Sequence, residues 1–438
     1  MANPSNNITR QNGHQATSSS IYRKNLNAGL PEADHDALGR THRAGKNYNR
    51  ALLLRLILRQ GPISRLALSR LTKLSPAALT ILTGQLLEEG RLIEAGEQEN
   101  EEESVRAGRR STLLDLNADS AIAIGVHIAP RAIRVGLVDL KGQIRARTRL
   151  GPPSEDASKA LDEIAVAARR LLAESGLPSE LVIGVGVGAV GLVQHEQGIN
   201  LSALSLHWRD IPIRAELEQR LNLPVQVDNN ARTMALAEYL FSRYEEQVSN
   251  LTLVYVGAGI GAGIVTEGRP YRGSAGAAGE IGHVMVVPDG LPCYCGARGC
   301  LETVASESGL VRHAEELALK GASPYLAQKT GGVNLEALME AVQAGDGAAT
   351  ALVYQAGLYL GMVVGALAKV LNPETLVLAG PLLDARLPLL EQVQSVMAAS
   401  SGTPEGSTLL RRSSLGEDIG IVGGAALVLY ERVFSEQH

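Results

Sequence analysis

The chain has 438 residues, more than a single hydrophobic core usually accommodates, so its length predicts two or three domains. A hydrophobic content of 45% and a charged content of 20% are typical of a globular protein, and 3% aromatic residues argue against an RNA platform that stacks bases. The net charge of -5 hides a basic front, because residues 1–94 carry thirteen Lys and Arg against six Asp and Glu. A nucleic-acid surface is therefore expected only near the front of the chain.

Residues 1–44 are polar and show no apolar periodicity, which predicts a disordered, mildly basic arm. The start of the chain has no apolar core of a signal peptide, and no apolar run is expected to approach the ~20 residues needed to cross a membrane. The three cysteines are clustered and odd in number, which favours the reducing cytoplasm over an oxidising compartment. The expected location is cytoplasmic, without a membrane partner.

Residues 45–117 have the pattern of a winged helix-turn-helix domain. A first helix carries apolar residues at helical spacing from Asn49 and ends at Gly61-Pro62. Ser64 can cap a second helix, and Ser75-Pro76 opens a third helix that Gly90 ends. Residues 91–94 and 111–116 then read as two strands of a wing, joined by an acidic loop. The alternative is a generic helical hairpin packed on the larger domain.

This pattern predicts a double-stranded DNA operator as a partner. The third helix would read bases and the flanking basic side chains would contact phosphates. The third helix offers no arginine, so much of the affinity is expected to come from phosphate contacts. The predicted DNA-binding residues are Arg65, Arg70, Lys73, Ser75, Thr80, Thr83, Gln85 and Arg109.

Residues 118–438 alternate apolar strands with helices, which predicts an α/β domain. Gly186-Val-Gly-Ala-Val-Gly191 formally matches a dinucleotide-binding fingerprint. The residues after it, Leu192 to Gly198, do not read as a helix, so no helix N-terminus would receive a pyrophosphate. The match is interpreted as accidental.

The three cysteines, Cys293, Cys295 and Cys300, lie within eight residues, and the first of them follows His283 by ten. Three thiolates and one imidazole make a complete tetrahedral ligand set for a structural Zn²⁺. Gly296 and Gly299 allow the tight turn between the thiols. We therefore predict one structural zinc per chain, held by His283, Cys293, Cys295 and Cys300. The alternative is three buried free thiols beside an unrelated core histidine.

The run from His283 to Glu302, with its Cys-x-Cys-Gly-x-x-Gly-Cys-x-Glu ending, resembles the signature of the ROK family of repressors, open reading frames and kinases. Glycine-rich residues 256–264 precede it, as in that family, and residues 61–117 resemble the N-terminal domain of ROK repressors. The resemblance implies an α/β fold class in which the winged helix-turn-helix is followed by a two-lobed, actin-like, ROK sugar-kinase-like domain. It also implies sugar-binding roles for Asn229, Asn230, Glu280, His283 and Glu302. The alternative for the two glutamates is a solvated loop charge.

Two elements that ROK kinases need are altered in this sequence. Those kinases typically carry Asp-x-Gly-Gly-Thr at the first strand turn, where this chain has His127-Ile-Ala-Pro-Arg131. The position of the kinase base is occupied by Asn230, whose amide accepts no proton at physiological pH. The sequence thus predicts a sugar-responsive transcriptional regulator, most simply a repressor, that is not an enzyme.

Several partners and alternatives follow from this interpretation. A sugar or sugar phosphate is the expected effector, and a homodimer or higher homo-oligomer is expected because one winged helix reads only a short half-site. One alternative is an active sugar kinase that carries a DNA-binding domain. Another is a regulator that senses a protein partner in place of a sugar.

Overall fold

The computed structural model describes residues 44–97, 111–244, 248–384, 387–400 and 408–436. Its front part has three helices and a three-stranded antiparallel sheet in the order β1-β3-β2. The helices are α1 (Ala44–Gln60), α2 (Arg65–Thr72) and α3 (Pro76–Glu88), and the strands are β1 (Ile63–Ser64), β2 (Leu92–Glu97) and β3 (Thr112–Leu116). The sequence predicted all of these except β1. The predicted arm, apart from Ala44, and most of the predicted wing loop lie outside the described residues.

Local capping explains where these helices begin and end. The Ser64 hydroxyl accepts a hydrogen bond from the amide of Ala67, and the Ser75 hydroxyl accepts one from the amide of Ala78. Both serines therefore satisfy amides that a helix leaves unpaired at its start. Gly90 follows α3 with a φ of 69°, a conformation that glycine adopts without strain.

The rear part contains two five-stranded sheets with the same strand pattern. In each sheet three parallel strands are followed by two antiparallel ones, in the orders β11-β7-β4-β5-β6 and β16-β15-β12-β13-β14. The first sheet comprises β4 (Ile122–Ala129), β5 (Ala132–Asp139), β6 (Ile144–Arg149), β7 (Val182–Ala189) and β11 (Val225–Asn229). The second comprises β12 (Leu251–Val256), β13 (Ile260–Thr266), β14 (Arg269–Pro270), β15 (Thr375–Ala379) and β16 (Leu409–Arg412).

Helices and one small sheet complete the two lobes. The antiparallel strands β8 (Leu192–Gln194), β9 (Ile199–Ala203) and β10 (Trp208–Ile211) extend the first lobe. The helices are α4 (Ala157–Ser175), α5 (Ile213–Leu221), α6 (Asn230–Phe241), α7 (Glu302–Ala305), α8 (Glu307–Leu319), α9 (Pro324–Ala327), α10 (Leu335–Gln343), α11 (Gly347–Leu371), α12 (Pro381–Asp384), α13 (Leu389–Ser400) and α14 (Ile419–Leu429). Short 3₁₀ turns span Ala118–Ser120, Ser179–Leu181, Leu204–Leu206, Ile281–His283 and Gly416–Asp418.

Glycines let the central helix α14 lie directly on the first sheet. A methyl group at Gly186 of β7 would lie 1.8 Å from the carbonyl oxygen of Gly424, and one at Gly125 of β4 would lie 2.0 Å from that of Ile421. This close backbone approach explains the glycine-rich run that resembles a dinucleotide fingerprint. Residues 192–194 form a strand, so the run does not lead into a helix, as expected.

The front part is packed against the rear one through α1, which is apolar on several faces. Leu53 and Leu54 are both fully buried, and they share one apolar cluster with Phe434. The chain forms a π-helical turn at Tyr430–Phe434, directly after α14, and Arg55 of α1 donates a hydrogen bond of 3.0 Å to the carbonyl of Phe434. The C-terminal turn therefore supports the first helix of the front part.

One helix in the described ranges, α11, has the length and apolar composition of a membrane span. The expectation that no apolar run is long enough was wrong in this respect. The buried residues of α11 include Val353, Leu360 and Val364, which belong to the apolar core of the second lobe. A long apolar helix of this kind is also typical of the core of a globular protein.

We expect Gly186→Ala to lower the free energy of unfolding by at least about 2 kcal/mol, because the new methyl group would overlap backbone atoms that cannot move aside. Chemical unfolding followed by the fluorescence of Trp208, the single tryptophan, measures the change in the first lobe. Gly151→Ala is the control, since no atom lies within 4 Å of a methyl group there. Equal midpoints for the two variants would contradict the close-contact account.

Candidate functional site

A cavity of about 530 Å³ lies between the two lobes. Strand ends and loops of the first lobe line one side, and the loops around the cysteine cluster line the other. The structure brings all five predicted sugar-binding residues to this cavity: Asn229, Asn230, Glu280, His283 and Glu302. This size is typical of pockets for small molecules.

Asn229 and Asn230 stand at the start of α6, where strand β11 ends. The Asn229 side-chain oxygen caps the helix by accepting from the amides of Ala231 and Arg232, and its Nδ2 donates 2.9 Å to the carbonyl of Gly191. One N–H of Asn229 is left to face the cavity. The capping role holds this amide in place and limits what it can offer to a ligand.

The two glutamates have different surroundings. Glu302 begins α7 and is only 7% exposed, and its Oε2 accepts a hydrogen bond of 2.9 Å from the amide of Ile260. The side chain of Glu280 is more open, and burial raises its pKa although the nearby His283 lowers it. Glu302 therefore has a fixed carboxylate. Because it is buried and hydrogen-bonded, the solvated-charge alternative fails for Glu302.

The cysteine cluster has the dimensions of a tetrahedral metal site. The His283 Nδ1 and Cys293 Sγ lie 3.6 Å apart, and the Cys295 and Cys300 sulfurs lie 3.7 Å apart. All four ligand atoms lie within 4.8 Å of one another. Bonds of about 2.3 Å to sulfur and about 2.0 Å to nitrogen set separations of about 3.8 Å and 3.5 Å around zinc.

The loop that carries the cysteines folds tightly, as predicted from its glycines. Gly296 and Gly299 have φ values of 92° and 68°, and a methyl group at Gly299 would lie 1.6 Å from the carbonyl oxygen of Val287. Burial raises the pKa of Cys300 to about 12, and the neighbouring thiols add to this shift. A bound cation would offset this cost by stabilising the thiolate form.

His283 connects this cluster to the cavity. Its Nδ1 faces Cys293, while its Nε2 lies 3.8 Å from Oε2 of Glu280. The ring of Tyr294 meets the imidazole edge-on at a centroid distance of 5.3 Å and also lines the cavity. Tyr294 was not among the predicted residues, although its position between two cysteine ligands could have pointed to it.

The turn that corresponds to the phosphate turn of ROK kinases has different residues in this chain. Pro130 and Arg131 form a two-residue turn between β4 and β5, and Arg131 Nη1 lies 2.6 Å from Oε1 of Glu307 in the other lobe. His127 is buried and burial lowers its pKa to about 4, so the imidazole is neutral at physiological pH. Its two ring nitrogens have no hydrogen-bond partner in the described part of the chain. The sequence did not reveal the pair of Arg131 and Glu307, because residues so distant in the chain give no local signal.

The predicted DNA-contacting residues are not all on one surface. Arg70, Lys73, Ser75 and Thr80 are exposed, and Arg109 lies outside the described residues. The inclusion of Thr83 was wrong, because it follows Leu79 by one turn and shares its buried face. The Thr83 hydroxyl donates to the Leu79 carbonyl, and Arg65 Nε donates 3.0 Å to the same hydroxyl. Arg65 is therefore partly engaged in holding α2 to α3.

Gln85 lies about 140° around α3 from Thr80, on another face of the helix. It lines a cavity between the front helices and the C-terminal turn, together with Lys46 and Arg432. The exposed face of α3 carries Ala77, Thr80 and Ile81, and the Ile81 side chain is 61% exposed. The helical period of 3.6 residues, counted from the buried Leu79, could have identified this face.

Known proteins similar to this chain include both regulators and kinases. A xylose repressor of Caldicellulosiruptor bescii is 30% identical over 77% of this chain and 84% of its own length. A glucokinase of Halalkalibacterium halodurans is 33% identical over 70% of this chain and 94% of its own length. A solved ROK-family transcriptional regulator, a homologue of the E. coli MLC protein, is 28% identical with a TM-score of 0.72, covering 89% of this chain and 98% of that one.

Residues 123–431 match the ROK family, and this range contains both five-stranded sheets except for Ile122, the interlobe cavity and the cysteine cluster. The rear part has the actin-like ROK sugar-kinase fold. The chain belongs to the ROK family.

Proposed function

We propose that the protein is a sugar-responsive, DNA-binding transcriptional repressor whose rear part is a sensor without kinase activity. The observation that carries this proposal is the interlobe cavity, where Asn229, Glu280, His283 and Glu302 meet while the adjacent phosphate turn is occupied by Pro130 and Arg131. Carboxylates, an amide and an imidazole suit the paired hydroxyls of a sugar, because such groups accept and donate in adjacent positions.

The front part is proposed to be a winged helix-turn-helix domain within residues 45–117. Its support is the arrangement of α1, α2 and α3 followed by the antiparallel strands β2 and β3. The match to the solved ROK regulator covers 89% of this chain. Residues 118–438 alone are too few to account for that share, so the match extends into the front part. Arg70, Lys73 and Ser75 would contact phosphates, and the exposed face of α3 would enter the major groove.

Kinase activity is the alternative, and two features of the chain argue against it. Phosphoryl transfer requires backbone amides that cradle phosphates, but Pro130 has no amide hydrogen and the side chain of Arg131 is bound to Glu307. It also requires a base near the attacking hydroxyl, and the corresponding position is Asn230. The match to the glucokinase covers 70% of this chain. Residues 118–438 alone are long enough to account for that share, so this match does not require the front part.

The metal proposed for the cysteine cluster is one structural Zn²⁺ per chain, with His283, Cys293, Cys295 and Cys300 as ligands. When bound, zinc would act as a fixed cross-link between the loop of Glu280 and the start of α7. Glu302 and the Nε2 of His283 would then be held at fixed positions toward the sugar.

A twofold homodimer in the cytoplasm completes the proposal. One winged helix reads only a short half-site, so two copies related by a twofold axis would read a pseudo-palindromic operator. Sugar binding would change the relative position of the lobes and with it the spacing of the two DNA-binding domains. The difference in sugar affinity between the two arrangements sets the upper limit of the change in operator affinity.

We expect Glu302→Gln to weaken sugar binding at least about tenfold, because the amide removes a charged acceptor from a buried position. Calorimetry with D-xylose, D-glucose, N-acetylglucosamine and their phosphates measures the loss of affinity. In a separate assay, the native protein incubated with MgATP and each sugar should yield no sugar phosphate. DNA binding without sugar should stay near the native value.

The control is Glu315→Gln, which removes the same charge from an exposed position on α8. Clear ATP-dependent phosphorylation of any of these sugars by the native protein would overturn the non-kinase assignment. Loss of DNA binding in Glu302→Gln would contradict the separation of sensing from DNA contact.

We expect the native protein to contain about one zinc per chain, and Cys295→Ser to lose it. Cys295 is the exposed ligand, so its replacement breaks the metal site without opening a cavity in the core. Elemental analysis and thermal unfolding measure the result, and sugar response should fail before DNA binding does. Arg298→Ala, an exposed position in the same loop, should retain the metal. Zinc-free native protein with three freely titratable thiols would refute the assignment.

We expect Arg70→Ala to lower DNA affinity and to reduce the slope of log K against log salt by about 1, because one phosphate contact is lost. Sugar affinity should not change, since Arg70 lies on α2 and the cavity lies between the lobes. Fluorescence anisotropy at several salt concentrations measures the slope, with Arg312→Ala on α8 as the exposed control. An unchanged slope in Arg70→Ala would remove this residue from the interface.

A further inference from the structure

A buried ionic cluster lies next to the floor of the sugar cavity, centred on Asp228. This residue ends strand β11 just before Asn229 and is 1% exposed. Its two carboxylate oxygens accept from Arg232 at 2.7 Å and from Arg272 at 2.8 Å. Burial alone would raise the pKa of Asp228, but the two guanidinium groups and His195 lower it below its usual value. The carboxylate is thus a fixed negative charge beside the pocket residues.

His195 joins this cluster to the C-terminal turn. Its Nδ1 lies 2.9 Å from the carbonyl oxygen of Val227 and 3.7 Å from Oδ2 of Asp228, and its Nε2 lies 3.0 Å from Oε1 of Glu431. A backbone carbonyl only accepts, so Nδ1 carries a hydrogen. Nε2 is directed at the carboxylate of Glu431, so the imidazole bridges β11 and Glu431 through both of its ring nitrogens.

Glu431 belongs to the π-helical turn on which the front domain is packed. The same turn supplies Phe434, whose carbonyl accepts from Arg55 of α1, and Tyr430, whose hydroxyl donates 3.1 Å to the carbonyl of Gly268. Contacts of 2.9 to 3.0 Å, joined by the backbone of the turn, therefore connect the end of β11 with the first helix of the front domain. Single π-helical turns occur often at functional sites.

Neither His195 nor Glu431 lines the sugar cavity or lies on the exposed face of α3. What such a pair does well is to fix relative position, because a displacement of one partner by an ångström weakens the bond. A movement of Asn229 and Asn230 at the end of β11 would therefore pull on the π-helical turn.

We propose that His195 and Glu431 are positioning residues that couple the sugar cavity to the DNA-binding domain. The proposal rests on the function proposed above and adds the route by which that function operates. Sugar binding shifts the end of β11, His195 transmits the shift to Glu431, and the turn at Tyr430–Phe434 moves the support of α1. Because the pair touches neither ligand, its loss removes the coupling and leaves each affinity intact.

The experiment measures the coupling factor, defined as the ratio of DNA dissociation constants with and without saturating sugar. The full-length chain is used, with a duplex selected from random sequence by the native protein. The sugar is whichever of D-xylose, D-glucose, N-acetylglucosamine or their phosphates stabilises the native protein most in thermal unfolding. The variants are Glu431→Ala, His195→Ala and the double substitution, each checked for a native-like unfolding transition.

A native coupling factor of about 5 to 150 is typical of allosteric proteins. We expect each single substitution to bring it within about twofold of 1, with sugar and DNA affinities measured separately within about threefold of the native values. The double substitution should do no more than either single one, because both act on one link. Glu431→Gln keeps a hydrogen-bonding partner for His195 and should therefore retain part of the coupling. If the alanine variants acted only by destabilising the fold, this partial retention would not be expected.

Glu436→Ala is the matched control, since it removes an equal charge five residues further on, where the carboxylate pairs with Arg269. It should keep the native coupling factor. Native coupling in Glu431→Ala or His195→Ala would overturn the proposed route while leaving the sugar-responsive function in place. A native protein that shows no sugar-linked change in DNA binding would overturn both the function and the route.

Discussion

The contact between α14 and the first sheet sets the positions of the functional parts. Gly125 and Gly186 bring the backbone of the helix against β4 and β7, at a distance that any side chain would increase. One end of α14 lies at His127, where a methyl group at Gly420 would meet the imidazole, and the other end leads into the π-helical turn. A shift of this helix on its sheet would therefore change the cavity region and the support of the front domain together.

The rear part has the ROK sugar-kinase fold, but its first strand turn has other residues than the Asp-x-Gly-Gly-Thr typical of ROK kinases. Pro130 and Arg131 form the turn, and Arg131 pairs with Glu307 across the cleft. This pair joins the two lobes beside the cavity. The turn that differs from that of ROK kinases thus also carries a contact between the lobes, which a regulator can use because its output is a change of shape.

Local features of this protein could be predicted from the sequence, and distant contacts could not. The histidine and three cysteines that could hold a metal ion lie close together in the chain, and the helix caps at Ser64 and Ser75 act within one turn, so spacing alone pointed to both. Thr83 was misplaced because its face was not counted from Leu79. The link from His195 to Glu431 joins residues more than two hundred positions apart, and no periodicity of the sequence carries that information.

The bond between Arg55 and the carbonyl of Phe434 has a consequence for how the protein is made. The two residues are separated by 379 positions in the chain, so at about 5 to 20 residues per second the partner of α1 emerges about 20 to 75 s after the helix itself. During that interval the apolar surface of α1 that later packs on the turn has no native cover. A chain that lacks the turn would keep that surface exposed.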